Sequence, residues 1–373
     1  MLGERSGVGS RLRRGILDCT KKRLRIIVVS LPDAFACGIT QQHTELDKEE
    51  KRMFKILSEV GGISEEMVKE FPELEVEIKG KWSREETLRK ISDYDGVIAA
   101  ATFDFNEEFF AAATKMKVLS RFGAGVDNVD IPAATKHGIW VSNTPGANAV
   151  TVAEHTIGLM LAVVKRMAFY DRKIKEGEWP GPVNNPFGRA FELTGKVHGQ
   201  VGLGMIGSNV ARMTKQAFNM DVLVYDPFVS AEDIEEKVSG KKVDMETLLE
   251  QSDVVTLNLP CNEETEGMFN YDMLKKMKKN SILINTARGG VIVEKDLARL
   301  VEEGWFYGVG LDVTVHEPIE EGNPLLKLDK VTLTGHFAAG TDEFFQRAAL
   351  WILEDHQRVA KGEKPKYARN SVE

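Results

Sequence analysis

Short apolar runs alternate with segments of helical periodicity from Leu24 onward, and this alternation limits the possible folds more than any other feature. The runs LRIIVVS (24–30), LEVEIK (74–79) and DGVIAA (95–100) are typical of buried strands, as are MKVLSRF and GIWVSN further on. Segments between them, such as EKRMFKILSEVGG (50–62) and REETLRKISD, predict helices. Repeated strand–helix–strand order predicts a mainly parallel sheet with helices on both faces.

A long helical stretch, TVAEHTIGLMLAVVKRMAFYDRKIKEGEW, is predicted to begin at Thr151 and interrupts the alternation. It ends in WPGPVNNPFGRAF, a loop rich in Pro, Gly and Asn. Six further predicted strands follow, with helices between them and a last helix over 341–363. Because 373 residues exceed what one hydrophobic core usually serves, the sequence predicts an α/β protein of two doubly wound, Rossmann-like domains.

Charge and composition exclude several classes of partner. A net charge of −8 and a pI near 5.6 provide no basic surface for nucleic acid or an anionic membrane. Three cysteines without CxxC spacing predict neither a disulfide framework nor a metal site, so we expect a reduced, cytoplasmic protein. The longest apolar run, 157–164, is too short to span a membrane. Residues 1–22, rich in Gly, Arg and Lys, are predicted to be a disordered extension or, alternatively, a targeting peptide.

The stretch KVHGQVGLGMIGSNVARM contains Gly202, Gly204 and Gly207 in G-x-G-x-x-G spacing. A predicted strand precedes these glycines, and a helix is predicted to start near Met205. The first glycine permits a tight turn, the second lets the backbone approach a pyrophosphate, and the third lets the helix pack on the strand. In this context the motif predicts a dinucleotide-binding loop.

Asp226, at the end of the next predicted strand, is placed to accept hydrogen bonds from the hydroxyls of an adenosine ribose. Its charge would repel a 2′-phosphate, and no Arg follows in PFVS, so NAD is favoured over NADP. In the strand before the glycine loop, His198 and Gln200 interrupt a buried run. We expect them to be hydrogen-bonded in the core rather than functional.

Five segments, in this order along the chain, resemble the D-isomer-specific 2-hydroxyacid dehydrogenases, which include phosphoglycerate dehydrogenase, glyoxylate/hydroxypyruvate reductase and formate dehydrogenase. They are GAGVDNVDIPAATKHGIWVSNTPGANAVTVAEHTIGLML, VGLGMIGSNVA, LINTARGGVIVEKDLARLVEEG, GLDVTVHEP and LTGHFAAGT. The resemblance implies a discontinuous substrate domain, residues 23–146 and 341–373, with an NAD-binding domain, residues 147–340, inserted between its two parts. It also implies a homodimer formed through the helix that begins at Thr151.

The resemblance further implies that Arg288, Glu317 and His336 catalyse hydride transfer between NAD(H) and a small 2-oxo or 2-hydroxy acid. An Arg presents a planar fork of donors to the carboxylate and carbonyl of such an acid. A histidine that titrates near neutral pH can deliver or remove the proton, and a carboxylate on its far ring nitrogen fixes the tautomer. Since neighbours in an extended segment point to opposite faces, Glu317 is expected to serve His336 rather than the adjacent His316.

Further positions follow from the resemblance alone. The residues expected to line the cofactor site, besides Asp226, are Gly202, Gly204, Met205, Ile206, Gly207, Tyr225, Pro227, Leu259, Pro260, Thr265, Thr286, Ala287 and Asp312. Among them, Asp312 is expected to anchor the nicotinamide carboxamide. The residues expected at the substrate are Ala100, Arg121, Gly123, Ala124 and Gly125, the last three through their backbone amides.

Departures from the family pattern bear on the substrate and on the function. Glu317, in place of the Gln of formate dehydrogenases, disfavours formate. Ala100 stands where longer phosphoglycerate dehydrogenases have an Arg, although Arg121 matches a basic position of that group, so phosphoglycerate dehydrogenase proper stays an alternative. Asn258 replaces a common His, and Gly335 a common Pro. The loop AAATFDF favours an uncharged or apolar substituent on the acid. A further alternative is a non-catalytic, NAD-dependent binding protein like the corepressors that resemble this family.

Overall fold

The computed structural model describes residues 52–80, 82–100, 104–181 and 189–372. The predicted extension at 1–22 and the predicted strand at 24–30 lie outside these residues. Twelve strands in the described part form two sheets, and all pairings of neighbouring strands are parallel. The predicted α/β class with Rossmann-like winding is therefore confirmed.

The first sheet has five strands. They are β1 (Phe54–Ser58), β2 (Leu74–Ile78), β3 (Gly96–Ala99), β4 (Val118–Arg121) and β5 (Trp140–Ser142). The helices that connect them are α1 (Glu65–Lys69), α2 (Arg84–Lys90), α3 (Glu107–Ala112) and α4 (Ile131–Lys136). The strand order is β2-β1-β3-β4-β5, so the direction of winding reverses between β1 and β3. In sheets of this kind, ligands bind beyond the carboxyl ends of the strands at such a reversal.

Helices α5 (Ala149–Val164) and α6 (Met167–Lys175) lead to the second sheet. Its seven strands are β6 (Val197–Val201), β7 (Asp221–Tyr225), β8 (Lys241–Lys242), β9 (Val254–Leu257), β10 (Ile282–Asn285), β11 (Gly308–Leu311) and β12 (Val331–Leu333). The remaining helices are α7 (Met205–Phe218), α8 (Ala231–Val238), α9 (Met245–Gln251), α10 (Tyr271–Lys275), α11 (Glu294–Glu302) and, last in the chain, α12 (Asp342–Ala360). The order β12-β11-β10-β9-β6-β7-β8 reverses between β9 and β6.

Helices α5 and α12 pack on different sheets. On the second sheet, Leu159 of α5 lies so close to Gly310 of β11 that a Cβ at this glycine would be 2.7 Å from Leu159 Cγ. On the first sheet, Ile352 and Leu353 of α12 are buried in one apolar cluster with Ile56 of β1. This packing supports the expected boundaries near residues 146 and 340, which stay a prediction.

The segment at 50–62, expected to be helical, instead contains β1, and this expectation is wrong. Ile56, Leu57 and Ser58 are all buried between β2 and β3. A strand in the middle of a parallel sheet is covered on both faces, so its sequence is continuously apolar rather than alternating. A run of this length fits a helical period equally well, so the sequence alone does not distinguish a buried strand from a helix.

The single long helix expected from Thr151 is wrong as well, because the chain breaks between α5 and α6. Arg166 there adopts a left-handed backbone conformation with φ of 55°. Its guanidinium carbon lies 3.9 Å from the centre of the Tyr307 ring, and its Nη2 donates to the Tyr307 carbonyl oxygen at 3.0 Å. Burial of this cation against an aromatic face stabilises the break, in a segment without Gly or Pro to predict it.

His198 and Gln200 lie in the core of the second sheet, and both are hydrogen-bonded, as expected from the sequence. His198 contacts Thr214 Oγ1 and Thr256 Oγ1, each at 2.8 Å. The Thr256 hydroxyl donates to Gln200 Oε1 at 2.9 Å, and Gln200 Nε2 donates to the Gly202 carbonyl oxygen. These contacts offset the cost of burying polar groups and brace the loop that follows β6.

We predict that stability decreases in mild acid because two histidines are buried. Burial lowers the pKa of His198 to about 3 and that of His356 to about 4, from an ordinary 6.5. Below pH 6.5 the unfolded chain binds protons that the folded chain does not, so the free energy of unfolding should fall by about 2 kcal/mol per histidine between pH 7 and pH 5. Urea unfolding at both pH values measures this. In a His356→Gln variant, the decrease in the free energy of unfolding between pH 7 and pH 5 should be about half as large. An unchanged decrease in this variant would show that His356 does not contribute to it.

Candidate active site

The glycine loop between β6 and α7 has the geometry that a dinucleotide requires. Gly202 has a φ of 83°, and a Cβ there would lie 2.5 Å from the Asn258 carbonyl oxygen. A Cβ at Gly207 would lie 2.1 Å from the Gly202 carbonyl oxygen. Gly204, by contrast, caps α7 with an ordinary φ of −70° and faces open space. The open space in front of a helix N-terminus suits a pyrophosphate.

Asp226, directly after β7, connects the glycine loop to the second strand of the unit. Its Oδ2 accepts from the Leu203 amide at 2.8 Å, and its Oδ1 accepts from the amides of Phe228 and Val229 at 2.9 and 3.2 Å. A carboxylate has about four acceptor positions, so one is left for a ribose hydroxyl. Loop, helix N-terminus and carboxylate together fit the adenosine diphosphate part of NAD.

Two glycine variants are expected to separate cofactor binding from folding. In Gly204→Ala the added Cβ meets no atom within 4 Å, so stability should be unchanged while NADH affinity falls about tenfold or more, since the methyl group takes the space of the pyrophosphate. In Gly207→Ala the Cβ collides with backbone, which should cost about 1–3 kcal/mol of stability. Thermal unfolding and NADH fluorescence titration measure the two effects. Equal losses of stability in both variants would contradict this division.

His336 and Glu317 meet at the carboxyl ends of β12 and β11. His336 Nδ1 lies 2.6 Å from Glu317 Oε2, and both side chains are about half exposed. Glu317 Oε1 also accepts from the Thr314 amide at 3.2 Å. His316 points elsewhere, toward Glu320 at 3.8 Å. The expectation that Glu317 contacts His336 rather than its neighbour in sequence is confirmed.

The backbone before His336 explains why Gly335 replaces a proline. Gly335 has a φ of 61° and His336 a φ of 55°, so two successive residues are left-handed. Proline is restricted to φ near −65° and cannot adopt this conformation. The turn is held by hydrogen bonds to Asp312, which accepts from the His336 amide through its carbonyl oxygen.

Asp312, at the end of β11, holds the loop that bears His336. Its carboxylate accepts from the Thr334 hydroxyl at 2.6 Å and from two backbone amides just after His336. Burial alone raises the pKa of this carboxyl, but the hydrogen bonds from His155, Thr334 and the two amides outweigh it and lower the pKa to about 2. Asp312 was expected to reach a nicotinamide carboxamide. Its carboxylate is buried and hydrogen-bonded to the 334–338 loop, and the expected contact with a nicotinamide stays a prediction.

Arg288, after β10, lies between the two sheets' loops. Its Nε and Nη2 donate to Asp127 Oδ2 at 3.3 and 3.1 Å, and its Nη1 donates to the Ala287 carbonyl oxygen. A Cβ at Gly125 would lie 2.2 Å from Arg288 Nη2. On its other side, the chain at Gly289 is in contact with Thr314, which brings Arg288 near the Glu317 loop. Two of the five guanidinium N–H donors are left for a ligand.

The amides expected to hold a substrate carboxylate are not equivalent. The Gly123 amide donates to Thr144 Oγ1 at 3.1 Å. The amides of Ala124 and Gly125 donate to no atom of the described residues. Two of the three expected amides are thus open to a ligand beside Arg288.

Comparison with known proteins agrees with this geometry. The family model for the NAD-binding domain of the D-isomer specific 2-hydroxyacid dehydrogenases matches residues 157–338. A D-3-phosphoglycerate dehydrogenase of Archaeoglobus fulgidus is 43% identical over 78% of this chain and 54% of its own length. A glyoxylate reductase of Thermofilum pendens is 41% identical over 80% of this chain and 88% of its own length. The chain belongs to the D-isomer specific 2-hydroxyacid dehydrogenase family.

Solved structures of this family share the fold. The crystal structure of a glyoxylate reductase from Paecilomyes thermophila superposes with a TM-score of 0.75, at 29% identity, over 85% of this chain and 98% of the other. The chain spans about half the length of the phosphoglycerate dehydrogenase and most of the length of the glyoxylate reductases. The predictions of the family, of an NAD-binding domain and of an NAD-dependent oxidoreductase are confirmed.

The remaining cofactor positions expected for this dehydrogenase family gather at one edge of the second sheet. Tyr225 and Pro227 flank Asp226, while Leu259, Pro260 and Thr265 follow β9, Thr286 and Ala287 follow β10, and Met205 and Ile206 begin α7. Asn258, which replaces a common His of the family, donates through Nδ2 to Thr286 Oγ1 at 3.1 Å. Asn258 therefore makes a hydrogen bond across the site. No helix in the described part of the chain is long and apolar enough to cross a membrane.

Four residues beside the expected dehydrogenase site were not predicted from the sequence: Glu59, Lys79, Asp127 and Asn128. Asp127 and Asn128 lie within the segment GAGVDN, directly after the residues expected to hold the substrate carboxylate. A charged and a polar residue at this place in the sequence could have indicated partners for Arg288 and Arg121. Glu59 fell in the segment assigned to a helix. Without β1 in place, nothing in the sequence brings it to the end of a strand.

Proposed function

We propose that the protein catalyses the reversible reduction of a small 2-oxo acid to the D-2-hydroxy acid with NADH. The contact of His336 Nδ1 with Glu317 Oε2 at 2.6 Å is the observation that best supports this function. Arg288 beside two open backbone amides, and a glycine loop fit for a pyrophosphate, supply the other parts that the reaction needs.

In this proposal the acid is held by its carboxylate. The amides of Ala124 and Gly125 and the remaining donors of Arg288 bind the carboxylate, and the fork of Arg288 also reaches the adjacent carbonyl oxygen. Asp127 orients the guanidinium from the opposite side through its two hydrogen bonds. Bound in this way, the acid presents its carbonyl carbon in a fixed orientation, which lowers the entropic barrier to reaction.

His336 is the proposed proton donor. NAD, when bound, supplies the hydride as NADH or accepts it in the reverse direction. Because Glu317 engages Nδ1, the proton is delivered to the carbonyl oxygen from Nε2. The carboxylate of Glu317 holds the imidazole ring in the orientation that presents Nε2 to the acid.

A phosphorylated acid is the second candidate substrate. Arg121, half-buried beside the expected substrate loop, and the similarity to a D-3-phosphoglycerate dehydrogenase favour it. The absence of an Arg at Ala100 and the similarity to glyoxylate reductases favour an acid without a phosphate.

A panel of 2-oxo acids tests the proposed function. The consumption of NADH is followed with glyoxylate, hydroxypyruvate, pyruvate, branched and aromatic oxo acids, and phosphohydroxypyruvate. We expect saturable turnover with at least one acid and a product of D configuration. Tight NADH binding without turnover of any acid would overturn the proposal and favour a non-catalytic binding role.

We also propose a homodimer, the assembly expected from the sequence. Large apolar side chains are exposed on and just after α6, with Met167 at 53%, Ile174 at 46% and Trp179 at 84% exposure. Large apolar side chains left exposed along one segment are typical of interaction surfaces. Light scattering measures the mass, and a monomer at working concentration would refute the dimer. The expectation of a cytoplasmic location stays a prediction.

A further inference from the structure

The carboxyl edge of the first sheet bears a buried ion pair. Glu59 follows β1 and Lys79 follows β2, and Lys79 Nζ donates to Glu59 Oε1 at 2.7 Å. The side chains of Glu59 and Lys79 are only 2% and 9% exposed. Because the winding of the sheet reverses between β1 and β3, Glu59 lies where parallel sheets bind ligands.

Hydrogen bonds join Glu59 to the expected substrate residues. Its Oε2 accepts from the Ala100 amide, at the end of β3, at 3.2 Å. The Ala100 carbonyl oxygen accepts from Asn128 Nδ2 at 3.2 Å, and Asn128 Oδ1 accepts from Arg121 Nε at 3.0 Å. Glu59 therefore fixes the start of the loop after β3 and reaches Arg121 through two further contacts.

Charges of opposite sign alternate along this edge in the order Lys79, Glu59, Arg121, Asp127 and Arg288. Burial and Arg288 lower the pKa of Arg121, while Asp127 and Glu59 raise it, so these groups act on one another. These five described residues carry three positive and two negative charges, an excess of one positive charge, which suits a substrate with a single carboxylate. Without Glu59 the excess would be two, which suits a second anionic group as well.

We propose that Glu59 is a specificity-determining residue, which offsets one positive charge and thereby favours a 2-oxo acid with a single negative charge over one that bears a second anionic group. The inference rests on the proposed function and names its substrate class. Glu59 acts through Lys79, Ala100 and Arg121 rather than by touching the substrate. Because buried charges are weakly screened, the charge of Glu59 affects the electrostatic potential at the expected substrate position without contact with the substrate.

A second ion pair between the same two strands provides a matched control. Lys55 of β1 and Glu75 of β2 lie 3.5 Å apart, and both side chains are 50% exposed. Solvent screens an exposed pair, so it has little effect at a distance. Glu75→Gln removes the same charge as Glu59→Gln without touching the carboxyl edge of the sheet.

The preference for phosphohydroxypyruvate over hydroxypyruvate tests the proposal, because the two acids differ only in the phosphate. The ratio of their kcat/KM values is expected to rise about tenfold in Glu59→Gln and to fall in Lys79→Met. The double variant keeps the wild-type excess of one positive charge, so its ratio should return close to the wild-type value. Glu75→Gln should leave the ratio unchanged.

A ratio within about twofold of wild type in Glu59→Gln, or shifts of the same sign in Glu59→Gln and Lys79→Met, would overturn the proposal. If circular dichroism shows that one single variant does not fold, the other and the double variant decide. Calorimetry with D-glycerate and D-3-phosphoglycerate, in the presence of NADH, measures the ratio of their affinities without turnover. This ratio should shift in the same direction as the ratio of kcat/KM values. A wild-type protein that reduces no acid of the full panel refutes the proposed function, while the calorimetric ratio still decides the role of Glu59. Failure of both D-glycerate and D-3-phosphoglycerate to bind refutes the role proposed for Glu59, whereas turnover of another acid of the panel would still support the proposed function.

Discussion

Replacing His336 by Asn is expected to lower kcat for 2-oxo acid reduction by about 10³-fold and to leave NADH affinity unchanged. The imidazole is the proposed proton donor, whereas the glycine loop that fits the pyrophosphate lies after a different strand, β6. Asn keeps a polar side chain of similar size and tolerates the left-handed conformation of this position, so the loop should persist. Steady-state kinetics together with NADH fluorescence titration separate the two quantities.

Two further histidine-site variants make this prediction specific. Glu317→Gln keeps the shape of the side chain but removes the charge next to Nδ1, and should lower kcat by about 10–100-fold. His316→Asn changes an exposed side chain that lies toward Glu320 rather than toward Glu317 and His336, and should have no effect. Comparable losses in His316→Asn and His336→Asn would show that the region matters for folding rather than for proton transfer.

Arg288→Lys is expected to lower kcat/KM for the oxo acid by about 10²-fold, mainly by raising KM. A lysine retains the positive charge but cannot donate simultaneously to the carboxylate, the carbonyl oxygen and Asp127, as the planar guanidinium can. NADH affinity should be affected little. Initial rates at saturating NADH, over a range of acid concentrations, yield both parameters.

The control is Arg299→Lys on α11, where the guanidinium is exposed and binds Glu303 at 2.9 Å. The same chemical change there should leave KM and kcat as they are. If Arg288→Lys alters only kcat and leaves KM unchanged, Arg288 does not hold the acid in the ground state.

Local backbone requirements made part of this site predictable from the sequence. Gly202 and Gly207 occupy positions where a Cβ would collide with backbone, and such positions leave a fixed pattern of glycines. The ends of the strands, where Asp226, Arg288 and His336 stand, were also recognisable, because apolar runs mark the strands and polar residues mark their ends. The Arg288, Glu317 and His336 assignment itself came from resemblance to a family rather than from spacing.

What the sequence did not predict depends on contacts between distant segments. The break at Arg166 is stabilised by Tyr307, far along the chain, and no residue near the break favours it. The strand β1 was mistaken for a helix because a short apolar run fits both periods. Glu59 and Lys79 could be recognised as a pair only after β1 and β2 were known to be neighbours.

The packing of α12 on the first sheet has a consequence for biosynthesis. β5 ends at Ser142, but the helix that covers Ile56 and its neighbours begins only at Asp342, after the whole second sheet. During translation, the apolar face of the first sheet therefore remains uncovered until the second sheet and α12 have been synthesised. Nascent chains stalled before residue 342 should bind chaperones through that face. The first sheet, although it is synthesised before the second, therefore completes its core only when α12 packs on it.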